Sequence, residues 1–307
     1  MTALLAGMFV ESQALRWDST VVEVFPELAG GMDARLKAVT LEQLLSHTSG
    51  IPSDNDAQVK LIMDSLLVTY ENLNELRYDI VQKLVTMPLD AAPGARFAYA
   101  NMGYLLVGAM LERKGGRTWE EMIVDRVFTP LKLTTAGFGP QASLGRVDAP
   151  LGHYVQEGKP PKPMLAGPDG DNPLVLGPAG TVHLSVLDFA TWAGWNAGEG
   201  KRGPALVQAE TLRKLHTQVI DMPLKADAAV GTPKEGGYGL GWGMVRLSFS
   251  PDAFLFHGGS NAMNYAVIMV QPQRDFAMVM MTNIAHDKVD SGLRALAEVL
   301  YRRYAPT

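Results

Sequence analysis

The sequence predicts an α+β fold, an antiparallel sheet flanked by helices beside a mostly helical region, on three observations. Capped helix starts crowd the first two thirds of the chain, four strand-like segments with short connections follow, and one long amphipathic helix closes it. Helices gathered before a run of strands indicate a sheet with its own helical cover rather than alternating β-α units. At 307 residues and 47% hydrophobic, the chain can bury a sizeable core.

The opening "MTALLAGMFVESQALRWD" places Leu4, Leu5, Met8 and Phe9 on one helical face. Arg16 is the first basic residue and follows the apolar run, which does not suit a signal peptide. The run is also about half the length of a membrane span. Thr40-Leu-Glu-Gln43 has capping-box spacing and starts a helix running into "LLSHTSG", with Gly50 as its left-handed stop. "ANMGYLLVGAMLERKGG" reads as a buried helix ended by Gly115-Gly116. Thr118-Trp-Glu-Glu121 starts another helix, toward Phe128, and Ser185-Val-Leu-Asp188 starts one that ends at Gly198. Residues 140–180 are rich in Gly, Pro and Asp and read as long loops, of the kind that line sites. "YGLGWGMVRLSF", "AFLFHGG", "NYAVIMVQP" and "DFAMVMMTN" read as four strands of an antiparallel meander. "SGLRALAEVLYRRY" then forms a helix with Arg and Tyr on its wet side. The expected organisation is a single unit over 1–307: a sheet-and-helix part from 1–25 and 237–307, and a mostly helical part over 26–236.

Composition excludes several functions. A net charge of −5 without a basic run gives no support for nucleic-acid or anionic-membrane binding. The absence of cysteine removes disulfides, thiol nucleophiles and Cys-ligated metals. The six histidines, at 47, 153, 183, 216, 257 and 286, form no H-E-x-x-H or other close ligand pair, so no metal and no cofactor is expected.

Three stretches carry candidate chemistry. In "HTSG", Ser46 and His47 are adjacent and point apart on a helix, so the motif reads as one that shapes a turn. In "FAYANMGY", Tyr99 and Asn101 lie two apart before a helix, where an extended segment aims both at one cavity. Tyr99 is either a half-buried aromatic or a general base, and the second needs a cation to lower its pKa. In "FHGGSNAMNY", His257 ends an apolar strand. Gly258 and Gly259 either allow a substrate to lie on the strand edge with free N–H donors, or make a plain hairpin. Ser260 is no nucleophile elbow, because a strand rather than a helix follows it.

Together these stretches resemble the β-lactamase-related serine hydrolases, which include class C β-lactamases, penicillin-binding-protein-like D-peptidases and esterases. "VTLEQLLSHTSGIP" is similar to that family's structural signature, "YAN" to its Tyr-x-Asn motif, and "HGG" to its third motif in the His-x-Gly form. "GPAGTVHLSVLDFATW" and "YGLGW" also match. The resemblance covers the whole chain in order. It implies that Tyr99 is base and leaving-group acid, that Asn101 binds the catalytic Lys and the substrate, and that His257 reinforces the proton network. The N–H of Ser260 would be one oxyanion donor, and the substrate a small ester, amide or lactam.

No serine in the chain has Lys three residues on; Ser143 and Ser291 come nearest, with Arg146 and Arg294. The family's Ser-x-x-Lys directly precedes the helix that matches "MTALLAGMFVESQALRWD". The expectation is therefore an N-terminal truncation with the nucleophile, the Lys and the first strands of the sheet missing, and any signal peptide with them. The alternative is a non-catalytic binding protein that uses the same cleft. An exposed sheet edge would favour self-association.

Overall fold

The computed structural model describes residues 1–53, 55–65, 72–167, 170–223 and 235–306. Helix α1 (Thr2–Glu11) is followed by the short α2 (Val21–Val24) and α3 (Leu41–Leu45), then α4 (Asp56–Ser65), α5 (Leu73–Leu84) and α6 (Asn101–Gly115). Next come α7 (Trp119–Ile123), a π-helical turn over Val124–Phe128 and α8 (Thr129–Leu131). The loop-rich middle holds strands β1 (Gly137–Phe138), β2 (His153–Tyr154) and β3 (Lys162–Pro163), then α9 (Gly177–Gly180), β4 (Val182–His183), α10 (Val186–Ala197), α11 (Ala209–Leu215) and β5 (Ile220–Asp221). The chain ends in β6 (Glu235–Tyr238), β7 (Gly243–Arg246), β8 (Phe254–Ser260), β9 (Tyr265–Gln271), β10 (Phe276–Thr282) and α12 (Asp287–Tyr304).

The main sheet has the order β10-β9-β8-β7-β6-β5 and is antiparallel throughout. The expected meander is present, with one difference. "YGLGWGMVRLSF" forms two strands, β6 and β7, because the chain turns back at Gly239, whose N–H donates to the carbonyl of Trp242. Gly241 there sits at φ +81°, which glycine adopts without steric cost. Among the described residues β10 and β5 each have a strand neighbour on one side only.

Alternation along the central strands divides the core into two layers. Ile268 and Val270 of β9 join the main cluster with α1, α3 and α6, while Val267 and Met269 join a second cluster beneath α12. Tyr301 belongs to that second cluster, edge-on to Phe254 and Phe276 and only 7% exposed. The expectation of Tyr on the wet side of the last helix therefore holds for Tyr304 and fails for Tyr301, which shares a face with Leu293 and Ala297.

Helix starts follow their capping chemistry. Thr40 with Gln43 and Thr118 with Glu121 form reciprocal capping boxes, and the Ser185 hydroxyl accepts from the N–H of Asp188. Thr20 and Glu23 form a further box at α2. Helix α1 is buried on nearly every side, with Met8, Val10 and Glu11 half-covered, so its apolar character is that of a central core helix. Helix α3 is shorter than expected. It ends at Leu45, and His47 already takes a left-handed conformation at φ +56°. Gly50, at φ +82°, serves the following turn, where a side chain would run into the carbonyl oxygen of Ala91.

Candidate functional site

Between the sheet and the helical region lies a cavity of about 1340 Å³. Tyr99, Asn101, His257, Gly258, Gly259 and Ser260, the residues singled out from sequence, all line it. Residues 1–4 of the first helix, and the segment from Leu176 to Phe189, form other parts of its wall. Arg77 fixes that segment from behind. Its fully buried guanidinium donates to the carbonyl of Val175 at 2.9 Å and pairs with both Glu112 and Glu120.

The "HTSG" motif is what positions the Tyr-x-Asn segment. The N–H of Ala98 donates to the His47 carbonyl at 2.8 Å, and that of Ala100 donates to His47 Nδ1 at 3.1 Å. Tyr99 is thus held on both flanks by one residue, with its ring 4.1 Å from the imidazole, centroid to centroid. Ala100 is extended and Asn101 is the first residue of α6, so phenol and amide reach the same space. Because Nδ1 accepts an amide proton, the proton of the neutral His47 ring sits on Nε2. Burial depresses the His47 pKa to about 3, so the ring stays neutral near pH 7. Ser46 pairs with Thr48 rather than with His47, at 2.9 Å between hydroxyls, in keeping with a turn-shaping motif.

His257 sits where β8 loses one of its neighbours. β9 runs beside β8 as far as Ser260, but β7 accompanies it only to Phe256. One edge of His257–Ser260 is therefore open toward the cavity, and a Cβ at Gly259 would meet nothing within 4 Å. An open edge with glycine on it admits a carbonyl close to backbone N–H donors.

Sequence reasoning missed Tyr104 and Tyr238, which connect His257 to the core. The Tyr104 hydroxyl donates to the Leu45 carbonyl at 2.7 Å, and the Tyr104 and Tyr238 rings both pack on His47, each 5.0 Å from its imidazole, centroid to centroid. Tyr238 Oη lies 3.2 Å from His257 Nε2, while His257 Nδ1 lies 2.8 Å from the Gly258 carbonyl. A neutral His257 that carries its proton on Nδ1, toward the Gly258 carbonyl, can accept from the Tyr238 hydroxyl at Nε2, and a doubly protonated ring would donate to that oxygen instead. Burial opposes that charge and lowers the His257 pKa. The Gly-rich context of Tyr238 in "YGLGW" was the only local signal available.

The cavity's charge is one-sided. Among the described residues that line it are two carboxylates, Asp148 and Asp171, and no Lys or Arg. Asp171 is half-buried, and its carboxylate accepts from Asn261 Nδ2 at 2.7 Å. Burial raises the Asp171 pKa, against the hydrogen bond from Asn261.

The comparisons with known proteins show the family and the fold to which this cleft belongs. The family model Beta-lactamase matches residues 1–301, and the chain belongs to that family. Penicillin-binding protein 4 of Amycolatopsis lactamdurans is 26% identical over 285 residues, which cover 92% of this chain and 69% of that protein. The octameric penicillin-binding protein homologue from Pyrococcus abyssi superimposes with a TM-score of 0.74 at 24% identity, over 97% of this chain and 63% of that one. A D-stereospecific amidohydrolase from Streptomyces sp. gives a TM-score of 0.71 at 22% identity, covering 97% and 83%. Other curated relatives, such as protein flp of Staphylococcus aureus, are matched over about half of their length, 52%. The fold is that of β-lactamases and penicillin-binding proteins. No helix among the described residues is long and apolar enough to cross a membrane.

Proposed function

We propose that this cleft is the acyl-transfer site of a serine hydrolase that works through an acyl-enzyme on a small ester, amide or lactam. The observation that carries the reading is the convergence of Tyr99, Asn101 and His257 on one cavity beside an open strand edge. A serine hydroxyl attacks the substrate carbonyl and its proton passes to Tyr99, which returns it to the leaving group. The N–H of Ser260 and that of the nucleophile hold the oxyanion. Asn101 binds the catalytic Lys and the substrate, and His257 gives the proton network a second partner. His at 257 offers no permanent cation for a substrate carboxylate, which favours a small ester or a D-amino-acid peptide bond over a β-lactam. The likeness to a D-stereospecific amidohydrolase points the same way.

The 307 residues contain no Ser-x-x-Lys. In this reading the attacking hydroxyl and the amine that lowers the Tyr99 pKa come from a segment outside them, and residues 1–307 alone do not acylate. The test compares residues 1–307 with the same chain carrying a Ser-x-x-Lys segment ahead of Met1, using p-nitrophenyl acetate and a fluorophosphonate probe. Turnover and stoichiometric serine labelling are expected only in the second protein. Labelling of one serine in 1–307 alone would overturn the reading.

The missing motif also favours a second reading, a non-catalytic binding protein, for which the added segment brings no activity. Self-association through the open edge of β10 is a companion proposal, read by gel filtration.

A further inference from the structure

We propose that the cleft selects substrates carrying a protonated amine close to the scissile bond, and that Asp171, held by Asn261, is the residue that selects them. The proposal rests on the acyl-transfer reading above and adds the charge of the substrate to it.

Asn261 makes the connection between this carboxylate and the proposed oxyanion donor. It directly follows Ser260 in the turn that joins β8 to β9. Its Oδ1 accepts from the N–H groups of Met263 at 3.1 Å and Asn264 at 2.8 Å, which locks the amide's orientation. Nδ2 is thereby aimed at Asp171 and donates to Oδ1 at 2.7 Å. Gln141 braces the same turn by donating to Asn264 Oδ1 at 2.9 Å. The carboxylate is therefore fixed one side chain and one hydrogen bond away from Ser260, on the cavity wall rather than on a free loop tip.

The hydrogen-bond partners of the half-buried Asp171 carboxylate are neutral, the Asn261 amide and the backbone N–H of Asn172. A group of that kind is normally matched by a cation, because desolvation of an unpaired charge is unfavourable. No Lys or Arg is among the described residues that line the cavity, and His183, which faces Asp171 electrostatically, has its Nδ1 engaged with the Gly139 carbonyl at 2.8 Å. A substrate ammonium would complete the pair. A substrate carboxylate would meet Asp171 and Asp148 with no Lys or Arg among the described lining residues to offset them.

The test uses one skeleton in three charge states: D-alanyl-D-alaninamide with a free amine, its N-acetyl derivative and its N-succinyl derivative. Affinities for residues 1–307 and for Asp171→Asn are measured by calorimetry or NMR titration. The cationic ligand is expected to bind at least tenfold more tightly than the acetylated one and the succinylated one most weakly. Asp171→Asn should bring the cationic and neutral ligands within about twofold of each other. A salt titration of the unaltered protein is the second measurement, independent of how the variant folds. The cationic preference should shrink as ionic strength rises. Equal affinities, a preference that survives Asp171→Asn, or one insensitive to salt would overturn the proposal and leave the acyl-transfer reading standing. Failure of all three ligands to bind would overturn both.

Discussion

His47 grips Tyr99 from both sides: its carbonyl oxygen takes the N–H of Ala98 at 2.8 Å, and its Nδ1 takes that of Ala100 at 3.1 Å. The contact spans about fifty residues of sequence and makes the backbone around Tyr99 depend on one buried ring in a left-handed conformation.

Substitution at His47 separates these roles. His47→Ala leaves the Ala100 N–H buried without an acceptor, which costs about 1–3 kcal/mol, and puts alanine at positive φ, for about 1–2 kcal/mol more. Asn places its side-chain oxygen near the position of Nδ1 and tolerates φ +56°. His47→Asn should therefore lose under half as much stability in urea denaturation as His47→Ala. Equal losses would contradict the role given to Nδ1. Because folding depresses the His47 pKa from 6.5 to about 3, the unfolded chain binds more protons between those values. Stability falls as the pH drops through that window, and the fall should be shallower in His47→Asn.

Tyr238 is expected to control the protonation of His257. Its oxygen is the acceptor that a protonated Nε2 would need. In Tyr238→Phe that acceptor is gone, so the imidazolium loses a partner and the His257 pKa should fall further. The neutral ring should then carry its proton on Nδ1, facing the Gly258 carbonyl. Nitrogen-15 NMR of the imidazole reads both quantities. An unchanged titration would show that the 3.2 Å contact has no effect on the proton.

Glu112 gives a pH dependence of opposite sign to that of His47. Burial, largest among its influences, raises its pKa from 4.5 to about 7, although Arg77 pulls it down. One oxygen of Glu112 lacks a partner among the described residues, which suits a proton on this acid. Between pH 4.5 and about 7 the folded chain holds a proton that the unfolded chain has released. This contribution is full below 4.5 and is lost as pH rises through about 7. Melting temperatures at pH 5 and pH 8 should differ less in Glu112→Gln, which keeps an acceptor for the N–H of Trp119. Glu112→Ala should be strongly destabilised, by about 3–5 kcal/mol, because it breaks a buried pair. A wild-type pH difference retained in Glu112→Gln would assign it to another group.

Local chemistry was legible in the sequence, and contacts across the chain were not. The caps at Thr40, Thr118 and Ser185 could be read because each involves residues three apart. Tyr99, Asn101 and the His257–Ser260 stretch stood out through residue type and turn context, and the cavity brings them together. The grip of His47 on residues 98 and 100, the Tyr238–His257 contact and the Asp171–Asn261 pair each join distant segments. No spacing rule reaches across such distances. The break of "YGLGWGMVRLSF" into two strands was hidden because Gly239 and Gly241 also fit a single strand with weak positions. The place of Tyr301 was legible in principle, since Leu293, Ala297 and Tyr301 repeat every four residues along α12.

If Tyr99 moves the proton of a serine attached ahead of Met1, the intact mass of the Ser-x-x-Lys-bearing chain after mixing with a slowly hydrolysed ester shows it. One acyl adduct on that serine is expected, formed at least a hundredfold more slowly in Tyr99→Phe, in line with the usual contribution of a general base. An adduct that forms at the same rate with and without the Tyr99 hydroxyl would contradict it.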